Sequence, residues 1–218
     1  MTETSTPALP RPAELAALLA AKLCHDLISP TSAIVSGVDL IEDPESQDMR
    51  EDAMALIISS SRKLGALLQF CRVAFGASAS ADTFDVRDLK KLAEGYYETQ
   101  KADLDWAVTP ESVGKPAARA LLNLAQLACG ALPRGGNARI EAQTDGDGLR
   151  LAAISSGLRA NLRPEIIEGL EGRAMSEGLG GHWVQAYYLS LIVADAGGSI
   201  SHEASEERAV ITVWLPAD

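Results

Sequence analysis

Cysteine, basic side chains and long apolar runs are all scarce in this chain of 218 residues, and each scarcity removes a class of protein. Only three cysteines occur, Cys24, Cys71 and Cys129. They fall in three separate helix-like segments with no paired or metal-ligand spacing, so they read as small apolar side chains in a reducing compartment. Lys and Arg number 19 against 30 Asp and Glu, a formal charge of −11. A nucleic-acid backbone is repelled by such a surface, and no Lys/Arg stripe offsets the repulsion, which excludes nucleic acid as a partner. No run of about 18 apolar residues is found. Met1 to Pro12 is polar and Pro-containing, without a charged-then-apolar signal pattern, so the expectation is a cytoplasmic protein with no membrane partner. Internal repeats are also lacking.

What is present is enough apolar material, 47% of the chain, to bury a sizeable core, and the length fits two small domains. From Ala13 to Ile41, Leu19, Leu23, Leu27, Ile34, Val38 and Ile41 recur at steps that sum to helical periods, predicting one long amphipathic helix. A turn at Glu42 to Ser46 leads to a second stripe, Met54, Ile57, Leu64, Leu68, Cys71 and Phe75. Each helix of this hairpin has an apolar face that the hairpin alone cannot cover, so a second copy completing a four-helix bundle is expected. The organisation is therefore a disordered N-terminus over 1–12, a helical hairpin over 13–76, a small-residue linker over 77–81, and a second domain over 82–218.

In that second domain the hydrophobic period switches repeatedly. Strands are predicted at Thr83 to Val86, Leu104 to Val108, Ala138 to Thr144, Leu149 to Ser155, Ser199 to Glu203 and Ala209 to Leu215. Helices are predicted at Asp88 to Thr99, Lys115 to Leu132 and Gly181 to Ala196. Asp145-Gly146-Asp147-Gly148 reads as a hairpin turn and Gly197-Gly198 as a helix stop. The fold class is an α hairpin followed by an α+β, α/β-sandwich domain.

His25 is the chemically active candidate. At about 100° per residue the apolar stripe of the first helix lies roughly 120° to 220° from His25, so the imidazole points away from the core. Ala21, Lys22, Ile28, Ser29 and Ser32, with Leu18 and Ser36, share its face, a docking surface with one cation suited to a phosphoryl group. An imidazole of pKa about 6.5 has a neutral nucleophilic nitrogen at cell pH, and its phosphoramidate transfers onward readily. Asp26 can hold the ring through its free N–H. Pro30 removes a donor to the carbonyl of Asp26, and a kink is expected just after the histidine. His182 and His202 have no partners at ligand spacing and are read as structural.

The stretch His25-Asp26-Leu27-Ile28-Ser29-Pro30-Thr31-Ser32-Ala33-Ile34 resembles the H-box of sensor histidine kinases, where the residue at the position of Ser29 often serves in dephosphorylation. Thr83 to Leu89 resembles the strand that opens the kinase ATPase domain, a Bergerat-like fold. Arg119 to Ala128 resembles its N-box helix. There the family has two asparagines four apart, the second a Mg²⁺ ligand; this chain has Asn123 and then Leu127, which has no oxygen to offer. Ser155 stands where the first glycine box has its adenine-binding Asp, and Arg159 replaces a glycine of that box. Gly178-Leu179-Gly180-Gly181 retains glycines of the second box, a pattern weak as phosphate-binding evidence on its own.

A kinase-like hairpin joined to an ATPase-like domain without its ATP ligands resembles the ChpT type of histidine phosphotransferase. The resemblance implies a homodimer without cofactor or metal of its own. It takes a phosphoryl group on His25 from the receiver of a CckA-like hybrid kinase and gives it to CtrA-like or CpdR-like response regulators of the cell cycle. The Mg²⁺ of that reaction is expected in the receiver partner. The alternatives are an autophosphorylating kinase with a divergent nucleotide site and a receiver-binding adaptor that never takes up phosphate.

Overall fold

The computed structural model describes residues 8–76, 82–178 and 180–217. The segment 77–81 expected as a linker and the first seven residues of the expected disordered N-terminus lie outside the described residues.

Two long helices open the chain, α1 (Pro12–Glu42) and α2 (Arg50–Ala74), joined by a 3-10 turn at Pro44–Met49. Asp43 caps that turn by accepting from the Glu45 N–H and the Ser46 hydroxyl, which holds its carboxyl below the usual carboxylate range. The α1–α2 crossing is close. A Cβ on Gly37 would stand 2.6 Å from Ile57 Cγ1 and 3.1 Å from the Ala53 carbonyl oxygen. α1 stays helical through Pro30, whose ring is buried.

The second domain comprises β1 (Thr83–Asp85), α3 (Val86–Tyr97), β2 (Ala102–Val108), β3 (Ser112–Gly114), α4 (Lys115–Gly130), β4 (Gly136–Asp145), β5 (Gly148–Ser156), α5 (Pro164–Leu170), α6 (Gly180–Asp195), β6 (Ser199–Ser205) and β7 (Arg208–Pro216). A five-stranded sheet has the order β2-β4-β5-β7-β6, with β2 parallel to β4 and the other pairs antiparallel. β1 pairs with β3 in a separate two-stranded ribbon. α4 is apolar nearly all round and almost fully buried, as a helix packed on a sheet on one side and on helices on the other must be. The architecture is a helical hairpin followed by an α+β sheet domain. β3 and α5 have no counterpart in the sequence reading.

The hairpin does not stand apart from the second domain. Phe70 and Ala74 belong to the same buried core as Leu89, Ala93, Leu121 and Leu124, and Leu15 and Leu19 pack on the stacked rings of Trp183 and Tyr187. The last turn of α2 is gripped through its carbonyls. Asn123 Nδ2 donates to Ala74 O at 3.1 Å, Arg119 Nη2 to Gly76 O at 2.8 Å, and the Tyr188 hydroxyl to Phe75 O at 3.4 Å. These are acceptors left without intrahelical donors, so side chains from α4 and α6 take the place of a C-cap.

Part of each apolar stripe is left uncovered within the single chain: Val38, Met54 and Leu68, which the sequence reading assigned to a bundle with a second copy, are 40%, 45% and 49% exposed. Gly37 of α1 is buried against Ala53 and Ile57 of α2 inside the hairpin, whereas Phe70 and Ala74 of α2 turn into the core of the second domain. The apolar content of α1 also exceeds the sequence reading. Its best 18-residue window has a mean hydropathy of 1.2, long and apolar enough to span a membrane by length and composition, and only 11% of that window is buried.

Candidate functional site

His25 lies mid-helix on α1 with its side chain 87% exposed. Its Nδ1 stands 3.4 Å from Asp26 Oδ1, and Asp26 Oδ2 accepts from Lys22 Nζ at 2.5 Å. An ionised Asp26 favours the tautomer with the proton on Nδ1, which leaves the lone pair on Nε2. The ring is thus oriented by its neighbour and open to attack an electrophile from solvent.

Lys22 is not on the exposed docking face. Its side chain is only 9% exposed, because three residues before His25 the helix turns it toward the second domain, where the ammonium is tied to Asp26 one turn on. Ala21, Ile28, Ser29 and Ser32 are exposed. Ala21 and Ser29 face the same hollow as His25, whereas Ile28 and Ser32 do not line it.

That hollow is a cleft of about 600 Å³ between the hairpin and the second domain. Its hairpin wall includes His25, Asp26, Lys63 and Leu67; the other wall includes Tyr96 from α3, Gln126 from α4, and His182 and Gln185 from α6. Gln185 Nε2 donates to Gln126 Oε1 at 2.6 Å and ties α6 to α4 at its floor. Burial raises Tyr96 well above the ordinary phenol range, so it stays neutral. Cys71 is pushed up to about 11, first by burial, with Lys22 lowering and Asp26 raising it. Burial pushes Cys129 to about 11 as well. Cys24 is exposed, contrary to its reading as a buried apolar side chain, since it falls on the outer face of α1.

The remaining histidines have partners. His182 Nδ1 lies 3.1 Å from Arg163 Nη1 and 3.5 Å from Glu165 Oε1, and His202 Nε2 lies 3.1 Å from Glu171 Oε1. Among the described residues no group of three or more His, Cys, Asp and Glu is arranged to hold a metal ion.

The positions that the resemblance matches to kinase nucleotide ligands have structural surroundings of their own. Leu127 is 3% exposed and packed in the core. Ser155 is 2% exposed and its hydroxyl donates to Ala128 O at 3.0 Å, so it serves strand-to-helix packing. Arg159 has φ of 62°, the left-handed conformation that a glycine adopts freely. Asn123 is fully buried and spends its amide donors on Ala74 O and Arg119 O.

Sequence reasoning missed the cleft, the grip of Asn123, Arg119 and Tyr188 on α2, and the place of Lys63 on the wall of the cleft that His25 also lines. All depend on pairing helices far apart in the chain, for which helical periodicity holds no signal; only the antiparallel register of the hairpin could have set Lys63 near the histidine.

Comparison with known proteins places this architecture. A family model described as the histidine phosphotransferase C-terminal domain matches residues 86–208. The chain is 36% identical over 200 residues to the protein phosphotransferase ChpT of Brucella abortus (strain 2308), covering 91% of this chain and 94% of that protein. A solved bacterial phosphotransferase superposes with a TM-score of 0.83 at 34% identity, over 96% of this chain and 100% of that one. The Acinetobacter baumannii histidine kinase AdeS shares the fold, with a TM-score of 0.51 at 14% identity over 89% of this chain and 98% of that one.

Proposed function

Since the chain belongs to the histidine phosphotransferase family, we propose that it is a ChpT-type relay protein whose His25 accepts a phosphoryl group from a receiver-domain aspartate and passes it to a second receiver. The observation that supports this best is the exposed imidazole held at Nδ1 by Asp26. In the step, the Nε2 lone pair attacks phosphorus, the N–P bond forms, and the bond from phosphorus to the aspartyl oxygen breaks with its electron pair leaving on the receiver carboxylate. The ring is then cationic with its proton on Nδ1, and Asp26 balances that charge.

The reading includes no ATP chemistry in this chain. Leu127 and Ser155 supply neither a metal ligand nor an adenine acceptor, so the phosphoryl donor is another protein, and the Mg²⁺ that neutralises the transferring group arrives with the receiver. The protein works in the cytoplasm as a homodimer, and its partners are the receivers of a CckA-like hybrid kinase and of CtrA-like or CpdR-like regulators of the cell cycle. Support for the dimer comes from two exposed stripes on the hairpin, Ile28, Val35 and Val38 on α1 and Met54, Ile58 and Leu68 on α2.

The test mixes the protein with a receiver carrying radiolabelled aspartyl phosphate. Label is expected on the wild-type chain and absent from His25→Ala, whose substitution at an exposed site leaves the fold intact. Label acquired instead from radiolabelled ATP with Mg²⁺ and no other protein would establish the autokinase.

A further inference from the structure

A phosphoryl group on His25 brings about two negative charges to a helix face whose nearest acid, Asp26, is itself negative. A cation is required nearby. The cleft beside His25 contains Lys22, Lys63 and His182 as candidates. Lys22 is committed to Asp26 at 2.5 Å and is 9% exposed. His182 is held by Arg163 and Glu165 at the far wall. Lys63 is half-buried and, among the described residues, makes no hydrogen bond or ion pair.

The hairpin register brings Lys63 to the right height. Gly37 stands opposite Ala53 and Ile57, and antiparallel helices step back one residue on α1 for each residue forward on α2. Lys63 is therefore level with Ser29 and Leu67 with His25, so Lys63 starts about one helical turn, or about 5 Å, along the hairpin from the histidine and one interhelical spacing of about 8–10 Å across from it. Its four-carbon stem and the phosphoryl-bearing imidazole reaching from the two helices together can span that separation, and Leu67 and Leu18 on the same wall offer an apolar track for the stem.

Resting on the reading of His25 as phospho-acceptor, we propose that Lys63 is a catalytic residue of the relay, its ammonium contacting the phosphoryl oxygens as the group moves onto His25 Nε2. The ammonium is unpaired before transfer, so the contact forms only as charge arrives in the cleft and breaks no existing ion pair. It replaces part of the charge neutralisation that the phosphoryl group loses on leaving the receiver's site. Lys22 acts one step back, fixing Asp26 and through it the ring.

The experiment follows label transfer from a radiolabelled phospho-receiver to full-length wild type, Lys63→Met and Lys63→Arg. Loss of a charge-assisted hydrogen bond predicts a maximal rate about 10- to 100-fold lower for Lys63→Met. The concentration of receiver giving half-maximal rate stays unchanged, and Lys63→Arg recovers most of the rate. Lys63→Met at the wild-type rate overturns the assignment, as does a loss confined to half-saturation, which indicates docking. Equal loss in both variants also overturns it, since packing and not charge is then at work. In all three outcomes wild-type His25 is still labelled. A wild-type chain that takes no label overturns the relay reading itself.

Discussion

At the residue scale, the site divides into what helical phase reveals and what only packing reveals. The exposure of His25 was legible because the phase of the apolar stripe on α1 turns it away from the core. The burial of Lys22 was not, because it depends on where α6 and α4 lie. Arg159 shows the same division. Its place at a glycine position follows only from the resemblance to the kinase box, while its backbone at φ of 62° is the left-handed conformation that glycine adopts freely. A side chain in that region costs about 1–2 kcal/mol, of which part is offset because glycine is freer when unfolded. Arg159→Gly is therefore expected to raise stability by up to about 1 kcal/mol, read as a higher urea midpoint at unchanged slope. On the reading that this chain has no ATP chemistry, no ATP labelling is expected to appear in the variant, since Leu127 stays in the core and Ser155 bonded to Ala128 O.

At the scale of elements, periodicity predicted α1, α2, α3, α4, α6 and the five strands of the main sheet to within a few residues. It failed where length or pairing decides. β3 is three residues long and exists because β1 lies antiparallel to it. α5 is seven residues, starts on Pro164 and is held against α6 through Gly169, where a Cβ would meet the Trp183 carbonyl oxygen at 2.7 Å. The hairpin crossing rests on a similar approach at Gly37. Gly37→Leu is expected to cost about 1–3 kcal/mol by overpacking against Ile57, despite the better helix propensity of leucine. Combining it with Ile57→Ala opens room for the new side chain, so the double variant recovers part of the loss and the two effects are not additive. Chemical denaturation of the four chains of this cycle checks the coupling; strict additivity would mean that the helices meet elsewhere.

At the scale of the whole molecule, the described residues cover the hairpin on one side only. Phe70 and Ala74 join the core of the second domain and Leu15 and Leu19 of α1 pack on Trp183 and Tyr187, while Met54, Ile58 and Leu68 stand at steps of four and ten along the opposite face of α2, beside Ile28, Val35 and Val38 of α1. Two such stripes on adjacent antiparallel helices present a continuous apolar surface that a soluble monomer leaves unfavourably in water. A second hairpin packed as the other half of a bundle would cover both stripes at once and leave the cleft wall that His25 shares with Ser29 and Lys63 free. Ile58→Glu is the discriminating change. Its side chain is 44% exposed within the chain, so the glutamate is solvated in a monomer and the fold, read by circular dichroism, should persist. In the bundle the same carboxylates are desolvated without partners, which costs several kcal/mol per dimer. Analytical ultracentrifugation is expected to show a dimer for wild type and a monomer for Ile58→Glu, with transfer to His25 from a phospho-receiver retained if each protomer's cleft is complete in itself. A variant that sediments as a dimer would place the interface on another face and leave these stripes unexplained.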